Sequence, residues 1–208
     1  MSYMFMLKKI IKKIIGSQPR FYWQFWGPQL LLDPWQKQIF PQHDWLIKTI
    51  KSLKPKSILE VGCGFGRNLQ FLLDHQIPAE KLTGLDISPS LLAQAQLPKS
   101  VRLIQGNVLK LPFKSAYFNL VFTHGLLMHL PPSQLPRALS ELIRVSQKYL
   151  ILIEEIRSRP QQLNYFTWAH DYEKMIANLP VETKFVYTDQ KLKLRYMHLQ
   201  KNLQGPTS

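Results

Sequence analysis

Ile58-Leu59-Glu60-Val61 runs directly into Gly62-Cys63-Gly64-Phe65-Gly66-Arg67-Asn68, a buried-strand pattern followed by a glycine-rich turn and the start of a helix. Glycines at 62, 64 and 66 admit backbone torsions and a close ligand approach that a Cβ would block, and the amides of the helix start point toward whatever lies there. The spacing is G-x-G-x-G, whereas a dinucleotide turn reads G-x-G-x-x-G and seats a pyrophosphate on the helix N-terminus. Glu60, just upstream of the first glycine, is poorly placed beside a pyrophosphate but well placed to hold an ammonium group. The expected ligand therefore carries a cation.

A second strand, Leu82 to Ile87, ends in Asp86, 20 residues after Gly66, where ribose hydroxyls would find an acceptor. S-adenosylmethionine combines an α-ammonium, a carboxylate suited to the turn amides, and such a ribose. An acid at the end of the second strand also serves NAD enzymes, so Asp86 alone does not discriminate. Further along, His124 and His129 follow the strand Phe118 to Thr123, Glu154 and Glu155 end the next strand, and His170 with Asp171 lies beyond. In open α/β sheets ligands bind at the carboxyl ends of the strands. His124 is thus the first candidate for a general base, with pocket lining or a backbone contact as its structural alternative. Of Glu154 and Glu155, only one can face the cleft if the strand persists.

These motifs resemble those of the class I S-adenosylmethionine-dependent methyltransferases over roughly residues 55 to 156. The strand and glycine turn match from Glu60 to Gly66, and Asp86 matches the family's acid after the second strand. Gly106-Asn107-Val108-Leu109-Lys110-Leu111-Pro112-Phe113 resembles a third motif in which Asp usually stands where this chain has Asn107. The Asn107 amide can still donate to and accept from an adenine edge. Phe118 to Leu130 resembles the fourth strand and its loop. The resemblance implies S-adenosyl-L-methionine as cofactor, contacted by Glu60, Gly62, Cys63, Gly64, Gly66, Asn68, Asp86, Ile87, Asn107, Val108, Thr123 and His129; His124 stays the catalytic candidate from its place at the strand end, and no metal is expected. The stretches 122–130 and 144–155 are most similar to small methylases associated with pseudaminic acid and other surface-glycan biosynthesis, which implies an activated or lipid-linked sugar as acceptor. A net charge of +14 suits an anionic acceptor of that kind.

With 208 residues and 45% hydrophobic content, the chain can bury one sizeable core. Its single cysteine, Cys63, excludes an internal disulfide framework and reads as structural, because nothing near it marks a nucleophile's partner. No apolar run reaches the ~20 residues of a membrane span, and lysines interrupt the apolar residues near the N-terminus, against a cleavable signal. The expected location is cytoplasmic. In Leu7-Lys8-Lys9-Ile10-Ile11-Lys12-Lys13-Ile14-Ile15 the apolar positions follow helical spacing with lysines in every gap. Such a helix, within residues 3–16, can lie on an anionic membrane or pack its stripe on the domain or a second subunit. The aromatic stretch Arg20 to Pro28 reads as a lid over the site in preference to plain core packing.

Alternating strand and helix patterns give an α/β, Rossmann-like, doubly wound sheet of about seven strands, mostly parallel. The expected helices are 42–53, 66–75, 89–95, 132–146 and 168–179. The expected strands follow at 58–61, 82–87, 101–105, 118–123 and 148–154, with an antiparallel edge from 182–187 and 191–198. The organisation is residues 1–54 as helical and aromatic extension, 55–201 as cofactor-binding domain and 202–208 as loose tail. Three functions compete: a small-molecule methyltransferase, a nucleic-acid methyltransferase and a non-catalytic cofactor-binding partner protein. Thr123-His124-Gly125-Leu126 lacks the Asn/Asp-Pro-Pro-Tyr/Phe motif of many base amino-methyltransferases, which disfavours the second.

Overall fold

The computed structural model describes Trp23 and residues 38–157, 160–164 and 167–202. The proposed amphipathic helix, the aromatic stretch apart from Trp23, and residues 203–208 lie outside them.

Helix α1 (Pro41–Leu53) precedes a chain of alternating elements: β1 (Ile58–Val61), α2 (Arg67–Asp74), β2 (Leu82–Asp86), α3 (Pro89–Leu92), β3 (Arg102–Gln105), β4 (Phe118–His124), α4 (Leu135–Val145) and β5 (Ser146–Glu155). A hairpin of β6 (Gln161–Asn164) and β7 (Thr167–Ala169), helix α5 (Tyr172–Ile176), β8 (Val181–Asp189) and β9 (Leu194–Lys201) follow. The main sheet has seven strands in the order β3-β2-β1-β4-β5-β9-β8. Its first five strands are parallel, while β9 and β8 form the antiparallel edge. The strand order reverses at β1, so a crevice opens between the ends of β1 and β4, where such sheets take ligands.

Side-chain alternation along the strands divides the core in two. Leu59, Val61, Leu85, Val121, Leu150 and Leu152 face α4 and α5, packing on Leu135, Leu139, Leu142 and Tyr172. Ile58, Leu82, Leu120, Phe122, Ile151 and Ile153 face α1 and α2, packing on Leu46, Ile50, Leu69 and Leu72. Because neighbouring registered residues share a face, Glu60, Phe122 and Ile151 lie on the α1–α2 side, as do His124 and Ile153. Thr123, Leu152 and Glu154 lie on the α4 side.

The long connection between β3 and β4, loop-like in sequence, is pinned by α4. Glu141 accepts the Leu111 N–H at 2.8 Å, and Arg144 donates to Phe113 O at 2.8 Å and Leu111 O at 3.0 Å. Arg144 also pairs with Glu141 at 2.8 Å, so neither charge is left uncompensated. One expectation is corrected in the last third. Instead of a helix over 168–179, Thr167–Ala169 is a strand and the helix is only Tyr172–Ile176. Thr167 and Trp168 favour extended backbone, and the Asp171 side chain accepts the Lys174 N–H at 3.1 Å, starting the helix there. Among the described residues, no helix is long and apolar enough to cross a membrane.

Candidate active site

The carboxyl ends of β1, β2 and β4 open into a cavity of about 720 Å³. Of the residues expected to hold a ligand, Gly62, Cys63, Gly64, Asn68, Asp86, Ile87, Asn107, Val108, His124 and His129 line it. Glu60 lies just behind the wall, fully buried. Gly66 caps α2 with φ +86° and is not part of the lining, nor is Thr123, whose hydroxyl donates to Glu154 at 2.7 Å.

The glycine turn is shaped by its backbone. Gly62 has φ +82°, and a Cβ there would stand 2.9 Å from Leu126 Cδ1, so the turn and the loop after β4 close on each other only because position 62 is glycine. At Gly64, φ +56°, the nearest atom to an added Cβ is 4.0 Å away, and a side chain would enter the cavity. The Gly64 N–H donates to Asp86 Oδ2 at 2.8 Å, and the Ser88 N–H to Oδ1 at 2.8 Å. Asp86 thereby ties the first turn to the second, and its carboxylate keeps acceptor capacity for a further donor. Burial raises its carboxyl above the ordinary value, while the N–H groups of Ser88, Gly64 and Ile87 pull it back. Asn107 spends its Oδ1 on the Leu109 N–H at 2.9 Å, which leaves its NH₂ as the group able to meet a ligand. Cys63 is buried, and burial pushes its thiol well up, against any nucleophilic role.

Beneath the turn, polar groups gather on the α1–α2 face. Asn68 Nδ2 donates to Glu60 Oε1 at 2.6 Å, and Asn68 Oδ1 lies 3.1 Å from His124 Nδ1. Glu60 Oε2 is buried with no hydrogen-bond partner. Burial pushes the Glu60 carboxyl up to about 8, opposed by the Asn68 hydrogen bond and the nearby Arg67. Burial, and then Arg67 and His43, hold the His124 imidazole well below its ordinary value, so it is neutral at physiological pH. The His43 ring meets His124 edge-on at 5.3 Å and is itself lowered to about 4 by burial.

Sequence reasoning did not single out Gln42, His43 or Arg67. Gln42 and Arg67 line the cavity, while His43 is fully buried against His124. The signal was present in α1: His43, Leu46, Ile47 and Ile50 form one helical stripe, and a histidine on an otherwise apolar stripe marks a polar group turned inward. Trp23 also lines the cavity, its ring 4.6 Å from His129 in an edge arrangement.

The remaining candidate bases do other work. Glu154 is buried on the α4 face and accepts from Thr123 Oγ1 at 2.7 Å, Leu126 N–H at 3.3 Å and Met128 N–H at 3.2 Å. His170 Nε2 donates to Leu130 O at 3.0 Å, from the far side of the same loop. Glu155, one residue on, lines the cavity and pairs with Arg157. Glu154 therefore anchors the loop that carries Leu126, Met128 and His129 into the cavity wall. Glu154→Ala, which strands three donors, is expected to destabilise the fold by about 2–4 kcal/mol, read as a lowered denaturant midpoint. An unchanged midpoint would mean that water replaces the carboxylate.

A crevice with a G-x-G-x-G turn, an acid at the end of β2 and a buried, unpartnered carboxylate oxygen of Glu60 behind its wall has the features of a nucleoside-binding α/β domain. Residues 58–148 match the family described as "Methyltransferase domain". Those residues are similar to a methyltransferase domain, and the chain carries the Rossmann-like fold of the class I S-adenosylmethionine-dependent methyltransferases. Demethylmenaquinone methyltransferase of Lactococcus lactis is 37% identical over 116 residues, which cover 51% of this chain and 45% of that protein. The chain spans about half the length of the curated relatives it matches. In fold it is similar to magnesium protoporphyrin IX methyltransferase from Synechocystis with bound S-adenosylmethionine, at TM-score 0.69 and 15% identity, covering 89% of this chain and 96% of that one. It is also similar to the Burkholderia thailandensis 1,6-didemethyltoxoflavin-N1-methyltransferase, at TM-score 0.67 and 15% identity, over 90% and 88% of the two chains.

The cofactor of this domain class is S-adenosyl-L-methionine, and the residues present fit it. The open space at Gly64, the unpartnered Glu60 Oε2 and the spare acceptor capacity of Asp86 match a carboxylate, an ammonium and a ribose respectively.

Proposed function

We propose that this protein methylates an oxygen or nitrogen atom of a small molecule, with S-adenosylmethionine as donor and His124 as the base that takes the acceptor's proton. The observation that carries this is the single cavity joining the glycine turn and Asp86 to His124. When bound, the cofactor supplies a methyl carbon on a sulfonium, open to in-line displacement. Glu60 and Asp86 hold the ligand's two ends, the loop from Gly125 to Leu130 and Trp23 wall the site against water, and His124 accepts the proton released as the acceptor atom attacks. An imidazole that is neutral at physiological pH is already in the form a base requires.

Two acceptor classes are supported by different observations. The net charge of +14 supports an anionic sugar or lipid-linked glycan intermediate, and residues 3–16 would then hold the protein against the membrane surface. Trp23, Leu126, Met128, Leu130 and Leu194 in the lining favour an acceptor with an apolar ring, as do relatives named for demethylmenaquinone, magnesium protoporphyrin IX and didemethyltoxoflavin. Nucleic acid remains the less favoured partner.

The decisive test is calorimetric titration with S-adenosylmethionine, S-adenosylhomocysteine and NAD, each in buffers of different ionisation enthalpy. The two adenosyl ligands are expected to bind and NAD is not. Glu60 is neutral below about 8, and an ammonium docking on it favours the carboxylate. Binding below that pH is therefore expected to release a proton, and affinity to rise with pH until the ligand's own amine deprotonates at about 7.7–8.0. Failure of both adenosyl ligands to bind would overturn the reading.

A further inference from the structure

Glu60, Asn68 and His124 form one hydrogen-bonded line from three separate elements, with the Asn68 amide in the middle. An amide has one donating end and one accepting end, so what it meets on one side dictates what it offers on the other. Against a neutral Glu60 carboxyl two arrangements keep both hydrogen bonds. In the first, Asn68 donates to Glu60 and accepts from a protonated His124 Nδ1. In the second the amide is turned over, the carboxyl O–H donates to Asn68, and Asn68 donates to a bare His124 Nδ1, leaving the ring proton on Nε2.

Against an ionised Glu60 only the first arrangement survives, because a carboxylate has no proton to donate. Glu60 Oε2, buried without a hydrogen-bond partner just behind the cavity wall, with Arg67 favouring and Asp86 opposing its ionisation, is the oxygen left for an ammonium group, whose docking sends the carboxyl proton to solvent. The ring proton of His124 relocates from Nε2 to Nδ1 by exchange with water, with no net gain or loss.

Resting on the methyltransferase reading, we infer that the cofactor's ammonium, acting through Glu60 and Asn68, sets His124 in the Nδ1–H tautomer and so frees Nε2 to act as base. Asn68 is a positioning residue in this scheme. The base is complete only when the cofactor is seated, which favours cofactor binding before acceptor. The burial of Glu60 and Asn68 supports the coupling: Glu60 is 0% exposed and Asn68 6% exposed, so bulk water does not substitute for the hydrogen bond between them, while His124 is half-buried at the cavity wall.

The test is the tautomer itself, read by proton–nitrogen correlation spectroscopy of isotope-labelled histidine, with the His124 signals assigned by their loss in His124→Phe. S-adenosylhomocysteine is the probe, since it carries the ammonium and no transferable methyl. Below pH about 8, where Glu60 is neutral, the free protein is expected to show both His124 tautomers and the complex only Nδ1–H. Asn68→Ala is expected to lose this response, and Glu60→Gln, which can neither ionise nor dictate the amide's direction, to lose it as well. A ring proton on Nε2 in the complex, a tautomer ratio that bound S-adenosylhomocysteine leaves unchanged, or a full response in Asn68→Ala would each overturn the inference. Calorimetry on the same samples separates the two levels. Absence of binding to the wild-type protein sinks the methyltransferase reading and the inference with it, whereas binding without a tautomer response sinks the inference alone.

Discussion

His124→Ala is expected to slow methyl transfer by ~10²–10⁴-fold, the range for loss of a positioned general base, while leaving the affinity for S-adenosylhomocysteine nearly intact. The split follows from geometry. His124 sits at the carboxyl end of β4 and lines the cavity, whereas the groups suited to the cofactor's charged and ribose ends are Glu60, the glycine turn and Asp86. Its contact with Asn68 contributes to orientation more than to ligand affinity. The pH profile adds a second readout. Because burial with Arg67 and His43 holds the imidazole well below its ordinary value, the rate term owed to His124 should stay flat through neutral pH and fall only well into the acid range. Single-turnover rates across pH check both points. Undiminished turnover in the variant would demote His124 to cavity lining.

Asp86→Ala is expected to weaken cofactor binding by ~10²–10³-fold, measured by calorimetric titration with S-adenosylhomocysteine. Two losses combine. The carboxylate's expected bonds to the ribose disappear, each charge-assisted contact being worth about 1.5–3 kcal/mol. The Gly64 and Ser88 N–H groups, both held at 2.8 Å, also lose their acceptor, so the glycine turn is no longer tied to the end of β2. Asp86→Asn should recover little, because its NH₂ must face one of those two N–H donors. Unchanged affinity in Asp86→Ala would remove Asp86 from the site.

Much of this molecule was legible in local pattern. The strand–turn–helix at Ile58 to Asn68 and the acid at 86 follow from hydrophobic runs, glycine spacing and residue type, and all lie where the seven-stranded sheet places its crevice. The antiparallel edge likewise follows from two strand patterns separated by a short polar turn. The β6–β7 hairpin was hidden because residues 168–179 carry enough apolar spacing to read as a helix, while the cap at Asp171 that starts the helix late is a single side-chain hydrogen bond.

What local pattern could not supply is the division of labour among the buried polar residues. Glu154 and Glu155 are adjacent in sequence, yet one anchors the loop after β4 and the other lines the cavity, because neighbours on a strand point to opposite faces. Thr123 and His124 part in the same way. Conversely, His43, Glu60, Asn68 and His124 come from α1, β1, α2 and β4 and meet only because those elements share one face of the sheet. The sequence by itself determined the sheet, the glycine cradle and the class of ligand it suits, since these rest on periodicity, backbone freedom and charge within a few residues. The tertiary structure alone decided which titratable groups touch, since burial and hydrogen bonding between distant segments set both their protonation and their roles.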